Sequence, residues 1–436
     1  MREDPNNNRN RILINRVNKT RSKKGMSDTI KLIIITLLAM TIVTVVLIFV
    51  SSIDGISLGG DNAGDSAQTA NSPSQDINLY VPVPSNPGMG LITEADLINH
   101  VFYHYNGGAT ELPVIGATGW AATNLVLRET PSTTGRDIVT IFPGRGFQIL
   151  DSTEGWWYVE LGNGVTGWAE TRRCFINFPD VLPSIVYNIT NATSSIFRSS
   201  GFPLTNITGD VLYSARSYNP RLGREEYIVP GMYSTARALF IVQQEALQNQ
   251  QTIIVYEIFR PRSTQNAVVS SVQALLRDNA EANRAIEDSP WNLTDFISTG
   301  RSNHQRGAAI DAAIGTVNET EIIQVGDYSY LRITSHTRIV AGSAMHELSP
   351  QSAIVYQRGG VSAAAVRAGT VRWAAVVTPG VIQMQEFFAA EVAGFDPLPS
   401  EWWHFNHRDS INIANAVDIR GEFLIETIYS VPPVRQ

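Results

Sequence analysis

Apolar and polar positions along the 436 residues fall into four regimes. From Leu32 to Val50 the chain reads LIIITLLAMTIVTVVLIFV, with no charge, Pro or Gly. As a helix this run reaches about 28 Å, close to the hydrocarbon thickness of a bilayer. One transmembrane helix is therefore expected over residues 31–52. Residues 53–91 are rich in Ser, Gly, Asn, Asp and Pro without apolar period, which predicts a flexible linker. Between 92 and 177 a short helix is expected from TEADLINHVFYHY, with Thr93 as N-cap. Short alternating runs follow: NLVLRETPS, RGFQILD, WWYVEL and GVTGWAETRRCFIN, broken by Gly, Pro, Asp and Asn. Alternation of this kind predicts a small all-β barrel. From 178 to 436 helical and strand patterns mix. YSTARALFIVQQEALQN, with Ser234 as cap, STQNAVVSSVQALLRDNAEAN and GVIQMQEFFAAEVAGF, ended by Gly394, predict helices. TIIVYEIF predicts a buried strand. The fold class expected for this last region is α+β.

Charge sharpens the first regime. Residues 1–28 hold eight Lys/Arg against Glu3, Asp4 and Asp28, a net +5 in a chain of net −7. That basic flank predicts a cytoplasmic tail over residues 1–30, with everything beyond the span outside the cell membrane. The remainder, at −12, offers no basic surface for nucleic acid. The single cysteine, Cys174, excludes an intrachain disulfide and a Cys-rich zinc site, and reads as a small buried apolar residue. A metal would need His and carboxylate ligands. His100 and His104 would share a helix face, but no third ligand lies near them.

Three short stretches carry candidate chemistry. SNHQRGAAID places His304 on a loop, a turn at Gly307, and Asp311 among small apolar residues, so that a buried carboxylate needs a cation. SEWWHFNH offers His404 as a third ligand, with Glu401 three residues earlier and His407 as the competing ligand. Three such ligands leave the fourth position of a zinc ion to water, whose pKa the metal lowers. Glu401 would take that water's proton as general base. YEIFRPRSTQ places Arg260 just after a buried strand, where it could stabilise an oxyanion; Arg262 is the alternative.

Two resemblances follow from these residues. TNLVLRETPST, GWWYVEL and GVTGWAE resemble bacterial SH3 domains, which implies binding to a cell-wall ligand. SNHQRGAAID resembles the Ser-x-His-x-x-Gly-x-Ala-x-Asp motif of the zinc D-Ala-D-Ala metallopeptidases. EWWHF is similar to their Glu-x-x-His motif, and FRP to the piece carrying their substrate-side Arg. The likeness is greatest to the D-alanyl-D-alanine dipeptidases. It implies one catalytic Zn²⁺ held by His304, Asp311 and His404, with Glu401 as base, Arg260 steadying the transition state and Ser302 contacting substrate. It also implies an α+β domain with an antiparallel sheet, shared with hedgehog-type zinc domains. The expected activity is hydrolysis of D-Ala-D-Ala termini, as dipeptidase or D,D-carboxypeptidase. Those dipeptidases typically lack an SH3-like module and a membrane anchor, so an externally tethered chain points to peptidoglycan stem peptides as substrate. A non-catalytic wall-binding or sensing protein and a zinc endopeptidase are the alternatives.

Overall fold

Alternating burial builds the first sheet. In a computed structural model of the chain, which describes residues 104–213 and 216–435, WWYVEL buries every second side chain. Eight strands form this sheet: β1 (Thr118–Ala121), β2 (Leu125–Arg128), β3 (Asp137–Ile141), β4 (Gly146–Thr153), β5 (Trp156–Leu161), β6 (Thr166–Glu170), β7 (Cys174–Asn177) and β8 (Pro230–Met232). Their order is β8-β7-β1-β4-β5-β6-β2-β3, with antiparallel pairing. The inner face carries Leu125, Leu127, Phe147, Ile149, Trp157 and Val159. Trp157 is thus core, whereas Trp168 is half-buried on the other face, its ring 5.3 Å from that of Tyr158. Cys174 is fully buried, as its small apolar character predicts.

The second sheet is built around a long strand. β9 (Gln251–Glu257) is the TIIVYEIF run, followed by β10 (Ala309–Val325), β11 (Tyr328–Arg338), β12 (Phe395–Leu398) and β13 (Glu401–His407). β10 pairs with β9 along one edge and with β13 then β11 along the other, all antiparallel; β12 closes a hairpin with β13. Two short parallel pairings depart from a purely antiparallel sheet: Val186–Tyr187 on β9, and Ala109 on β11. Amphipathic helices pack around the sheet. α1 (Tyr233–Gln248) and α4 (Pro379–Phe388) pack into the main core, while α2 (Arg262–Asp278) and α3 (Ala280–Glu287) share a second core with Trp291 and Phe296. A last helix, α5 (Arg408–Ala416), follows β13.

Several boundaries differ from the sequence expectation. His104 and Tyr105 lie in a two-residue strand pairing Gly108–Ala109, so the helix predicted from Thr93 does not include them. Its other residues, the linker, the transmembrane span and the basic tail lie outside the described residues. Among the described residues no helix is long and apolar enough to cross a membrane. Met232, not Ser234, is the N-cap of α1; Ser234 instead hydrogen-bonds Ser410. The 263–283 helical pattern breaks at Asn279, whose Oδ1 accepts from the Glu281 and Ala282 amides and so caps α3. α4 ends at Phe388, and Gly394, at φ 68°, caps a separate 3₁₀ turn over Glu391–Ala393.

The two sheets interlock. β8 leaves the first sheet directly into α1, and the segment after Gly421 returns to the first sheet. There the Glu426 amide bonds to the Gly144 carbonyl and the Val431 amide to that of Gly116. The described residues form one compact unit.

Candidate metal centre

Strand register sets the first part of the site. Asp311 on β10 stands opposite Glu257 on β9 and opposite His404 on β13, which puts three ionisable side chains abreast. Two irregularities aim them. A bulge at Tyr256 shifts the β9 register by one residue before Glu257. In the β12–β13 hairpin Leu398 pairs Glu401 whereas Pro397 pairs Phe405, so Trp402–His404 loop out as extra residues. Without that loop, residues three apart would face opposite sides of a strand. With it, Glu401 Oε2 lies 3.7 Å from His404 Nδ1.

The loop before β10 supplies His304. Residues His304–Arg306 form one 3₁₀ turn closed by Gly307 at φ 62°. A Cβ on Gly307 would lie 2.8 Å from Phe175 Cε1 and 2.9 Å from Gly231 Cα, so both conformation and space demand glycine. The Gly307 carbonyl accepts from the Met232 amide and from Thr235 Oγ1.

Three ligand atoms converge. His304 Nε2 is 3.1 Å from His404 Nδ1 and 3.3 Å from Asp311 Oδ1, and the last two are 3.0 Å apart. In a zinc tetrahedron with arms near 2.0–2.1 Å, ligand atoms lie about 3.3 Å from each other. Outer hydrogen bonds fix which atoms face inward. His304 Nδ1 donates to the Ile258 carbonyl at 2.9 Å, and His404 Nε2 donates to Asn406 Oδ1 at 3.1 Å. The inward nitrogens are therefore the ones that would present lone pairs to a bound cation, and with the Asp311 carboxylate they make a donor set that fits a divalent one. All three side chains are buried.

Around this set, Asp311 Oδ2 accepts from His346 Nε2 at 2.9 Å, and His346 Nδ1 accepts from Asn191 Nδ2. Arg260 donates through Nε and Nη2 to Glu257 Oε2 at 2.9 and 2.5 Å, and through Nη1 to Gln265. Its Nη2 is also 3.4 Å from Asp311 Oδ2, and its guanidinium lies over Phe197. Glu257, Asp311 and His346 form a second group of metal-ligand type. Arg260 already supplies the positive charge there, so this group reads as support for Asp311.

Burial pushes the Asp311 carboxyl up, but the three histidines around it outweigh burial and hold it well below the usual range. Burial pushes the Glu257 carboxyl up, but Arg260 outweighs it and leaves the group lowered. Burial lowers His304; for His404 it is outweighed by Asp311, and the imidazole is raised. Burial raises Glu401 to about 8, opposed by His404 and reinforced by Asp311. A cation among the ligands would draw it down again.

A cavity of about 180 Å³ is lined by Arg260, Ser302, His304, Asp311, Glu401 and His404 together, with Phe197, Leu348 and Trp403 as apolar wall. Ser302 Oγ accepts from the His304 amide. The two alternatives lie elsewhere. Arg262 is exposed and paired with Glu422. His407 caps α5 through Ser410 and is lowered to about 4 by burial. Sequence reasoning did not find Glu257, His346 or Asn406. A lone acid in the apolar TIIVYEIF run was a usable signal for Glu257, since such a residue needs a nearby cation.

Residues 123–173 match the bacterial SH3 domain family. Five strands of the first sheet, β2 to β6, fall inside that match, and β1, β7 and β8 extend it. No curated protein matches the chain. Beside the SH3 domain, where Trp156, Glu170 and Arg172 meet Tyr233, Ser234 and Arg237 at the start of α1, lies a larger cavity of about 540 Å³.

Proposed function

We propose that the chain is a zinc peptidase acting on D-Ala-D-Ala termini of peptidoglycan stem peptides, as carboxypeptidase or dipeptidase. The observation that carries this reading is the triangle of His304 Nε2, Asp311 Oδ1 and His404 Nδ1, with edges of 3.0–3.3 Å and Glu401 beside it. Bound there, a zinc ion would supply a position for water, lower that water's pKa and polarise a carbonyl. With the ion in place, Glu401 would serve as the base for that water and as the acid for the leaving amine. Arg260, held rigidly by Glu257 and Gln265, faces the same cavity and supplies fixed positive charge near the developing oxyanion. Ser302, on the same loop as His304, lines this cavity, which supports a contact with substrate. Bacterial SH3 domains commonly bind cell-wall components, which favours a wall-associated substrate. The apolar run at 32–50 and its basic flank support a membrane anchor with the site outside.

Incubation of the full chain with purified stem peptides, followed by mass spectrometry, tests this reading. The expected result is loss of one D-Ala or of the D-Ala-D-Ala unit, abolished by a zinc chelator and restored by zinc. Glu401→Gln is expected to lower the rate about 10²–10⁴-fold while one zinc per chain remains bound. Unchanged hydrolysis after either treatment would sink the mechanism. Binding to peptidoglycan with no cleavage of any stem peptide would favour a non-catalytic wall-binding protein. Cleavage at another peptide bond would make the chain an endopeptidase.

A further inference from the structure

We infer that Asn406 is a positioning residue that selects the metal-binding tautomer of His404, and that Asn303 and Arg306 orient it. The inference rests on reading the triangle as a zinc centre. A histidine ligand presents one bare nitrogen, and the hydrogen bond made by the other nitrogen decides which one that is. For His304 the decision is simple, because its Nδ1 faces the Ile258 carbonyl, which can only accept. For His404 the outer partner is a side-chain amide, Asn406, which can present either of two faces. With Oδ1 toward His404, the imidazole proton sits on Nε2 and Nδ1 is bare. With the amide nitrogen toward His404, the proton moves to Nδ1, into the ligand triangle.

The neighbours of Asn406 resolve the choice. Asn406 Oδ1 accepts from Asn303 Nδ2 at 2.7 Å. Asn303 Oδ1 in turn accepts from Arg306 Nη1. A guanidinium can only donate and stays charged, so it fixes the polarity of the whole chain from one end. Reading from Arg306, each amide has one allowed orientation, and the last keeps a proton on His404 Nε2, so that Nδ1 is the nitrogen a cation can take. Asn303 and Arg306 occupy the unspecified positions either side of His304, and Asn406 pairs with Ala309 two residues before Asp311. The relay thus ties the segments bearing all three ligands.

Zinc affinity of the full chain, measured by competition with a chromophoric chelator, tests the relay without reference to any substrate. Asn406→Leu is expected to weaken zinc 10–100-fold, the range for lost outer partners of ligating histidines. Asn406→Asp keeps two acceptor oxygens and is expected to stay within about threefold of the parent. Arg306→Met, two bonds further out, is expected to weaken zinc by a smaller factor than Asn406→Leu. Circular dichroism and thermal unfolding confirm that each variant folds. Parental zinc affinity in Asn406→Leu, or equal losses in the Leu and Asp variants, would overturn the inference. Absence of zinc binding by the parent chain would overturn it together with the proposed function. Zinc binding with these variant effects but no peptide cleavage would leave the relay standing and remove the peptidase.

Discussion

His404 and His407 lie three residues apart on β13, and their surroundings shift them in opposite directions. His404 faces Asp311 and is raised; His407 is buried against Gly394 and Phe395, with Nδ1 accepting from Ser410, and is lowered to about 4. The His407 shift has a consequence for stability. Its folded pKa lies below the usual value near 6.5, so the unfolded chain binds the extra proton more readily. The stability it contributes is full above pH about 6.5 and is lost as pH falls toward 4, at most about 3 kcal/mol in all. Denaturant unfolding between pH 4 and 7 should show this acid limb, and His407→Asn should flatten it; an identical limb in the variant would remove His407 as its source. At this scale the sequence revealed what single side chains demand. Asp311 in AAIDAAI announces a buried acid. The orientation of Asn406 carries no comparable signal, because an amide in HFNH looks like any polar strand residue until its partners 100 residues away are known.

At the scale of elements, the turn over His304–Arg306 depends on one glycine. Gly307→Ala would carry a left-handed φ costing about 1–2 kcal/mol and an overlap with Phe175 and Gly231 costing about 1–3 kcal/mol more. The expected outcome is a lower unfolding midpoint together with weaker zinc binding, since His304 must move with the turn. Parental values for both would show that the backbone relaxes without disturbing the ligand. Strand and helix types were legible from period: β9 from its β-branched run, α1 and α2 from apolar spacing. Ends were less so. Asn279 was read as one more helical position, but its side chain terminates one helix by capping the next. The bulge at Tyr256 and the looped Trp402–His404 were also invisible, because a register shift is a property of two strands and the pattern describes one.

At the scale of the whole molecule, the segment after Ile419 links the SH3 domain to the metal-binding loop. The Arg420 carbonyl accepts from Gln305 Nε2 and the Gly421 carbonyl from the Arg262 amide, while Tyr429 packs over Gly146 and Gly162 of the first sheet. Ending the chain at Ile419 is expected to lower the melting temperature by roughly 5 °C or more, at about 2–4 °C per kcal/mol, and to weaken zinc binding. Thermal scans and chelator competition on the truncated chain check this; unchanged zinc affinity would confine the segment to the SH3 side. The sequence suggested two bodies in succession, because composition changes near residue 178. It could not reveal that Pro230–Met232 rejoins the first sheet, or that the last residues fold back across it, since both are contacts between distant parts of the chain. Phe175 and Gly231, which belong to that sheet, are also the atoms that fix the conformation of Gly307 beside His304. Exchange of the matched region as a cassette would not be neutral in such an arrangement. A piece excised at residues 123 and 173 would strand three of the eight strands, and the recipient of any foreign replacement would have to rebuild the floor beneath its own histidine.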